Sequence, residues 1–286
     1  MLNRTIYLTG ANGFLGGDLA FFFREQGNEV IPMTRIAGNP ANIYFDMSRS
    51  DRLPAPKMQG ALVHCAWQMD ALSARYVETN VGGSIAVLEW ALQHKLNPII
   101  FISTTSVFPG CRSLYGQSKQ KVEVFCRDNG ILVVRSGLVC SRRQIGGIVG
   151  RLTRIVNGLP LVPLIDGGKQ AFYISDTEDL SLALLTLIDD PGFYRPEEPV
   201  LAVAKPMTFR EILEALGQAS GRRPRFMVLP GSLIRLPLRA AAKIGLSLPV
   251  NEDNLEGLLR LPPIQPINTD LAGMFTHSIE RAMIVK

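Results

Sequence analysis

Thr9-Gly10-Ala11-Asn12-Gly13-Phe14-Leu15-Gly16 lies between a strand-like run, Ile6-Tyr7-Leu8, and a segment with apolar residues at helical spacing over residues 13–26. Gly10 permits a tight turn, Gly13 lets backbone approach a pyrophosphate, and Gly16 lets helix and strand pack closely. The N-terminus of the helix adds free N–H donors and a partial positive charge suited to phosphate. The spacing is G-x-x-G-x-x-G, not the G-x-G-x-x-G of the usual dehydrogenases. Elsewhere such a triplet is an ordinary turn. At the first strand-to-helix junction it predicts dinucleotide binding, with Gly10, Asn12, Gly13, Phe14 and Leu15 as the contacting residues.

Outward from that loop, short apolar runs alternate with helical patterns. Residues 29–34, 42–45, 61–65, 98–103 and 132–135 read as strands, and residues 73–94 and 117–127 as helices. Apolar strands separated by helices predict a parallel sheet covered on both faces, with right-handed crossovers. The fold class expected is α/β: a Rossmann-like doubly wound parallel sheet with a smaller mixed α/β C-terminal substrate lobe. Beyond about residue 137 Gly and Pro interrupt the pattern, although a helix from about Asp176 still fits the first layer system. The expected division is therefore 1–137 plus 176–199 for the NAD(P)-binding domain, and 138–175 plus 200–286 for the substrate lobe. Thr208 and Glu211 form a Thr-x-x-Glu capping box within that lobe.

The 286 residues are 47% hydrophobic and 19% charged, which excludes disorder over most of the length. The formal net charge is +5, concentrated in residues 205–245, where eight Lys/Arg face two Asp/Glu. Arg222, Arg223 and Arg225 have only Phe226 beside them, so this reads as a solvated basic face or a site for a small anion, not a nucleic-acid surface. Cys65, Cys111, Cys126 and Cys140 include no C-x-x-C, and the three histidines are scattered, so no metal is expected. No run reaches the ~20 apolar residues of a membrane span. Leu229 to Leu248, carrying Arg235, Arg239 and Lys243, reads as a packed lobe helix in preference to a membrane-surface helix. No targeting segment is read, and the expected location is cytoplasmic.

The end of the second strand bears on the cofactor. A carboxylate there would favour NAD, whereas an arginine suits the 2′-phosphate of NADP. The chain places Arg35 there, so NADP is expected, with NAD as the second choice; the alternative is a solvent-exposed loop arginine. Tyr115 and Lys119 fall at i and i+4 on one helix face. A phenol with a pKa of ~10 is a poor acid–base group near neutrality, and a neighbouring cation should lower that value. With Thr104 at the end of the fifth strand, the three residues form a set able to polarise a carbonyl.

Taken together, these features resemble the extended short-chain dehydrogenase/reductase family, of the NAD(P)-dependent sugar epimerase/dehydratase type. The resemblance rests on Thr9–Gly16, Asp46-Met47, His64-Cys65-Ala66, Asn80 and Gly83, Ser103-Thr104, Tyr115, Lys119 and Glu178-Asp179-Leu180. It implies that Tyr115 is the general acid/base, that Lys119 holds the nicotinamide ribose, and that Thr104 bonds the reacting oxygen. It further implies that Asp46 and Met47 hold the adenine and that Cys65, Ala66 and Trp67 line the ribose and pyrophosphate, with Asn80 in the cofactor set. Met47 and Trp67 also read as core residues, and Asn80 as a helix-surface amide.

The departures concern the substrate. Tyr115 follows Thr104 by only 11 positions, shorter than in most sugar-nucleotide members of that family. Phe108 replaces a usual Tyr, Leu138 stands where an Asn often touches substrate phosphate, and an Arg near the late Asp is missing. Arg142, Arg143, Arg151, Arg154 and Lys169 are the remaining candidates for a diphosphate clasp. The expected function is an NAD(P)-dependent oxidoreductase or epimerase acting on a hydroxyl or keto carbon of a nucleotide-linked sugar, with an anionic small-molecule substrate. The alternatives are an NADPH-dependent reductase of another small carbonyl compound and a non-catalytic nucleotide-binding sensor or assembly protein. The resemblance also allows a homodimer.

Overall fold

The computed structural model describes residues 3–36, 40–49, 53–71, 73–190 and 198–230, together with Phe275 and Ile279. Its centre is a seven-stranded parallel sheet of β1 (Thr5–Thr9), β2 (Glu29–Thr34), β3 (Ile43–Tyr44), β4 (Ala61–His64), β5 (Ile99–Thr104), β6 (Leu132–Ser136) and, at one edge, β11 (Val200–Ala202). The spatial order is β11-β6-β5-β4-β1-β2-β3. Strand order thus reverses at β1, and the sheet carries the expected Rossmann-like double winding. β11 follows the expected lobe boundary at residue 200, yet it pairs in parallel with β6 through Val200 and Val134.

Both sheet faces are apolar, as strands buried on two sides require. One face packs against α1 (Phe14–Glu25) and α5 (Thr177–Asp189), through Ile6, Leu8, Leu19, Phe23, Leu180 and Leu184. The other lies under α2 (Gly83–Gln93) and α3 (Leu114–Asp128), through Tyr7, Leu62, Phe101, Leu88 and Val122. The long helix expected over 73–94 is divided: a π-helical turn, Glu78–Gly82, precedes α2. α3 begins earlier than its periodicity suggests, because Ser113 caps it by accepting a hydrogen bond from the Gly116 N–H at 3.1 Å.

After β6 the chain passes through β7 (Leu138–Cys140) and α4 (Gly147–Gly158) into three two-stranded sheets. β7 pairs with β10 (Ile174–Asp176), β8 (Val162–Ile165) with β13 (Phe226–Leu229), and β9 (Ala171–Phe172) with β12 (Met207–Thr208). α6 (Phe209–Ala219) opens with the expected capping box, Thr208 and Glu211 each bonding the other's backbone N–H. Its buried face, Ile212, Leu213 and Leu216, joins α4 in separate small cores. Leu229 and Pro230 are described, but the remainder of the 229–248 stretch, with Arg235, Arg239 and Lys243, lies outside the described residues. No helix among the described residues is long and apolar enough to cross a membrane.

Candidate active site

The C-terminal ends of β1, β4 and β5 converge beside the N-terminus of α1. Gly10 has φ +69°, and a Cβ there would come within 2.9 Å of Ala66 backbone. At Gly16 a Cβ would meet the Gly10 carbonyl oxygen at 2.1 Å. These two positions need glycine for closeness of backbone to backbone. Gly13 is the N-cap of α1 and supplies no side-chain cap, and no acidic side chain occupies the first turn. The donors of that turn therefore meet no carboxylate of their own helix, as a dinucleotide pyrophosphate would require. Asn12 and Gly13 are exposed, whereas Leu15 packs against the core of the α1 face. Phe14 lies under Gly146, where a Cβ would approach its ring to 2.4 Å.

The loop after β4 is fastened to the glycine loop. Cys65 N–H and Ala66 N–H both donate to Thr9 Oγ1 at 3.1 Å, and the Cys65 thiol donates to the Thr9 carbonyl at 2.8 Å. Burial pushes the Cys65 thiol up to about 12, so it remains a thiol. Asn80 is fully buried and is not a helix-surface amide. Its Oδ1 accepts from Gln68 N–H at 2.8 Å and its Nδ2 donates to the Gln68 carbonyl at 3.1 Å. Asn80 thus fixes the loop that the resemblance places along the ribose. Met47 sits on Gly83, where a Cβ would lie 2.4 Å from the Met47 carbonyl oxygen. Burial would raise the Asp46 carboxyl, but hydrogen bonds from Ser48 and the nearby Arg35 and Arg49 hold it below the ordinary carboxylate range. Arg35 is exposed just after β2 ends at Thr34.

Thr104 ends β5, and Tyr115 stands in the first turn of α3, where the Thr104 side chain acts on its phenol. Burial pushes the Tyr115 phenol up to about 12, opposed by the Thr104 hydrogen bond and reinforced by Tyr76. The sequence reading expects the opposite direction, with Lys119 lowering this group. The difference lies in where the ammonium goes. Lys119 Nζ donates to the Ile102 carbonyl at 2.7 Å and lies 3.9 Å from the Trp67 ring centroid and 4.6 Å from that of Phe101. Burial lowers Lys119 to about 7, while Cys65, Glu123 and Cys126 pull it back up. The structure therefore joins Thr104 with Tyr115 and draws Lys119 into the interior behind them.

Three participants lie outside the sequence reading. Tyr76 accepts the Trp67 indole N–H at 3.0 Å; Ser84 lies 2.8 Å from His64 Nε2; and Glu123 accepts from Ser103 at 2.5 Å and from Arg135 at 2.6 Å. Their positions are set by packing between elements, which leaves no local sequence signal. The basic residues read as a diphosphate clasp are largely engaged with protein groups. Arg143 stacks on Phe21 at 3.1 Å and lies 4.0 Å from Asp18, and Arg142 lies 3.8 Å from Glu178. Arg154 donates to the Gly150 carbonyl, while Arg151 and Lys169 are exposed. In the basic stretch of the lobe, Arg222 donates to the Asn157 carbonyl.

Residues 6–129 match the model of the NAD dependent epimerase/dehydratase family, which bears out the resemblance over that segment. An uncharacterized protein of Mycobacterium tuberculosis and one of Mycobacterium bovis are each 28% identical over 225 residues, which is 74% of this chain. The chain spans 23% of the length of those relatives. Among solved structures, gox2253 is similar with a TM-score of 0.72 at 18% identity, covering 99% of this chain and 96% of that one. ADP-L-glycero-D-manno-heptose-6-epimerase of Helicobacter pylori is similar with a TM-score of 0.62 at 19% identity, over 80% of this chain and 86% of its own. A GDP-L-fucose synthetase from Naegleria fowleri bound to NADP has a TM-score of 0.62 at 14% identity, over 80% and 82% of the two chains. At these identities the solved structures share the fold.

Proposed function

We propose, from the match of residues 6–129 to the NAD dependent epimerase/dehydratase family model, that this chain is an NAD(P)-dependent oxidoreductase or epimerase. Its substrate is the hydroxyl or keto carbon of a nucleotide-linked sugar. The observation that carries the reading is Thr104 set against the Tyr115 phenol, beside a glycine loop whose helix N-terminus has no side-chain cap. Residues 1–137 with 176–199 serve as the nucleotide domain, joined by β11 and Phe275, and 138–175 with the rest of 200–286 as the substrate lobe. A homodimer is part of the same reading.

The glycine loop and the first-turn N–H groups of α1 hold the pyrophosphate, and Asp46 and Met47 hold the adenine end. Arg35 favours NADP by meeting the 2′-phosphate. When bound, the nicotinamide supplies or accepts hydride at the reacting carbon. Tyr115 moves the proton at its phenol oxygen, and Thr104 Oγ1 bonds the same substrate oxygen. A phenol raised by burial retains its proton at neutral pH, which suits donation in the reductive direction. Lys119 biases Tyr115 and holds the nicotinamide ribose once its ammonium is turned to them.

A second reading, reduction of another small carbonyl compound, is favoured by the segment between Thr104 and Tyr115. That segment is packed down: Val107 and Phe108 are buried, and Gln117 Nε2 donates to the Cys111 carbonyl at 3.2 Å. NADPH and NADH binding by calorimetry, followed by nicotinamide turnover on nucleotide sugars and on simple carbonyls, separates the two readings. Tyr115→Phe is expected to bind the dinucleotide as the parent does while losing at least about 100-fold in turnover. Turnover retained in that variant overturns the assignment of Tyr115.

A further inference from the structure

Lys119 is almost completely buried on α3, and its surroundings suit an amine better than an ammonium. An ammonium has three N–H donors and no acceptor. Here Nζ donates to the Ile102 carbonyl on β5 at 2.7 Å, and the ring centroids of Trp67 and Phe101 lie 3.9 Å and 4.6 Å away. A ring face attracts a cation, but it offsets only part of the cost of taking a lone charge out of water. Among the described residues, no unmatched anion faces this nitrogen. His64 on β4 is neutral, its two ring nitrogens engaged by Thr9 and Ser84. Burial keeps Cys65 after β4 and Cys126 on α3 as thiols, and Tyr115 on the same helix as a phenol. Glu123, one turn further along α3, is a carboxylate whose charge is already matched by Arg135 on β6. Its Oε1 accepts from Ser103 Oγ at 2.5 Å and from Arg135 Nε at 2.9 Å, and its Oε2 from Arg135 Nη2 at 2.6 Å. Burial accordingly lowers Lys119 to about 7, against a weaker upward pull from Cys65, Glu123 and Cys126.

We propose that Lys119 is the proton-accepting group of the dinucleotide site: a neutral amine in the dinucleotide-free protein, it takes one proton from solvent as the dinucleotide binds. The amine lone pair accepts that proton, and no other bond changes. The ligand has the chemistry that this pocket lacks. Ribose hydroxyl oxygens accept N–H donors and a pyrophosphate carries negative charge, and both favour the charged form. The ammonium that holds the ribose is thus made on binding and does not wait in the interior beforehand. The sign of the pH dependence follows by linkage. A group that holds its proton more tightly in the complex than in the free protein favours binding while it is protonated. Above its free-state value it costs affinity, up to about tenfold per pH unit, until its value in the complex is reached. Dinucleotide affinity therefore falls as pH rises above neutrality.

The proposal rests on reading Lys119 as the group that holds the nicotinamide ribose, and its readout is protons, not turnover. The full chain is titrated with NADPH by calorimetry at pH 8 in buffers of different ionisation enthalpy. The slope of the observed heat against that enthalpy counts the protons taken up. At pH 8 the 2′-phosphate is already ionised and adds nothing to the count. The parent is expected to take up about one proton per dinucleotide and to lose affinity about tenfold from pH 8 to pH 9. Lys119→Met, close in shape but unable to carry charge, should bind more weakly, without uptake and with an affinity independent of pH in this range. Lys119→Arg carries its cation at every pH used and should also bind without uptake. It takes the place of Lys119→Met if circular dichroism shows that variant unfolded. Binding by the parent without proton uptake overturns the proposal and leaves the proposed function standing. Uptake of the parent's size in either variant also overturns it, because the proton then goes to another group. A parent that binds neither NADPH nor NADH would overturn the proposed function, and this inference with it.

Discussion

The Thr9 hydroxyl has one proton and two lone pairs, and the fold uses all three. Two lone pairs accept the Cys65 and Ala66 N–H groups, so the proton must go to His64 Nδ1, 2.7 Å away. His64 is then the neutral tautomer protonated at Nε2, which donates to Ser84 Oγ at 2.8 Å. Burial, with Lys119 nearby, lowers His64 to about 3. A histidine depressed in the folded state and ordinary in the unfolded one stabilises fully above about pH 6.5. That contribution is lost as pH falls toward 3, at up to about 1.4 kcal/mol per pH unit. Urea unfolding of the parent and of His64→Gln should therefore diverge in slope: stability falls more steeply below pH 6.5 in the parent. Parallel pH dependences would show that His64 is protonated in the fold. The His64-Cys65-Ala66 run is visible in the sequence, but its partners Thr9 and Ser84 lie 55 and 20 positions away. The tautomer is thus fixed only by tertiary contact.

At the scale of elements, α2 and the loop after β3 meet through one glycine. Alanine is normally preferred to glycine inside a helix by up to about 1 kcal/mol. At Gly82, where a Cβ would meet nothing within 4 Å, that preference applies and Gly82→Ala should be neutral or stabilising. At Gly83 the same Cβ would lie 2.4 Å from the Met47 carbonyl oxygen and 2.7 Å from Met47 Cβ. Overpacking should win there, costing about 1–3 kcal/mol and displacing Asp46-Met47. Calorimetric NADPH titration of Gly83→Ala should show affinity reduced about tenfold, with Gly82→Ala at the parent value; equal affinities would detach this loop from the cofactor. The strands and helices around the sheet were legible because their apolar periods and glycine stops are local. The π-helical turn was not, because the 73–94 stripe continues through it and gives no sign that Asn80 grips Gln68.

On the whole-molecule scale, the seven-stranded sheet and the lobe are tied by groups far apart in sequence. Asp18 on α1 accepts from Gln144 Nε2 at 3.0 Å after β7, and from Thr177 Oγ1 at 2.8 Å at the start of α5. The helix that follows the glycine loop therefore shares a buried carboxylate with the segment that leads into the lobe. That tie was hidden in the sequence, where Arg142 and Arg143 suggested an open anion clasp. Phe275 and Ile279 make a second tie. Phe275 joins the core of the α1 and α5 face, while Ile279, fully buried, joins Ile212, Leu216 and Cys140 in the lobe. Two residues four positions apart thus belong to two cores, and loss of packing in one should be felt in the other. Ile279→Ala removes buried methyl groups from the lobe and should cost about 2–5 kcal/mol. Both tryptophans, Trp67 and Trp90, lie on the sheet side, so their fluorescence reports the sheet, while amide exchange in α6 reports the lobe. In Ile279→Ala both signals are expected to shift to lower denaturant together and by the same free energy. If α6 opened early while tryptophan fluorescence kept the parent midpoint, the two cores would be independent, and lobe motion would not reach the glycine loop through this contact.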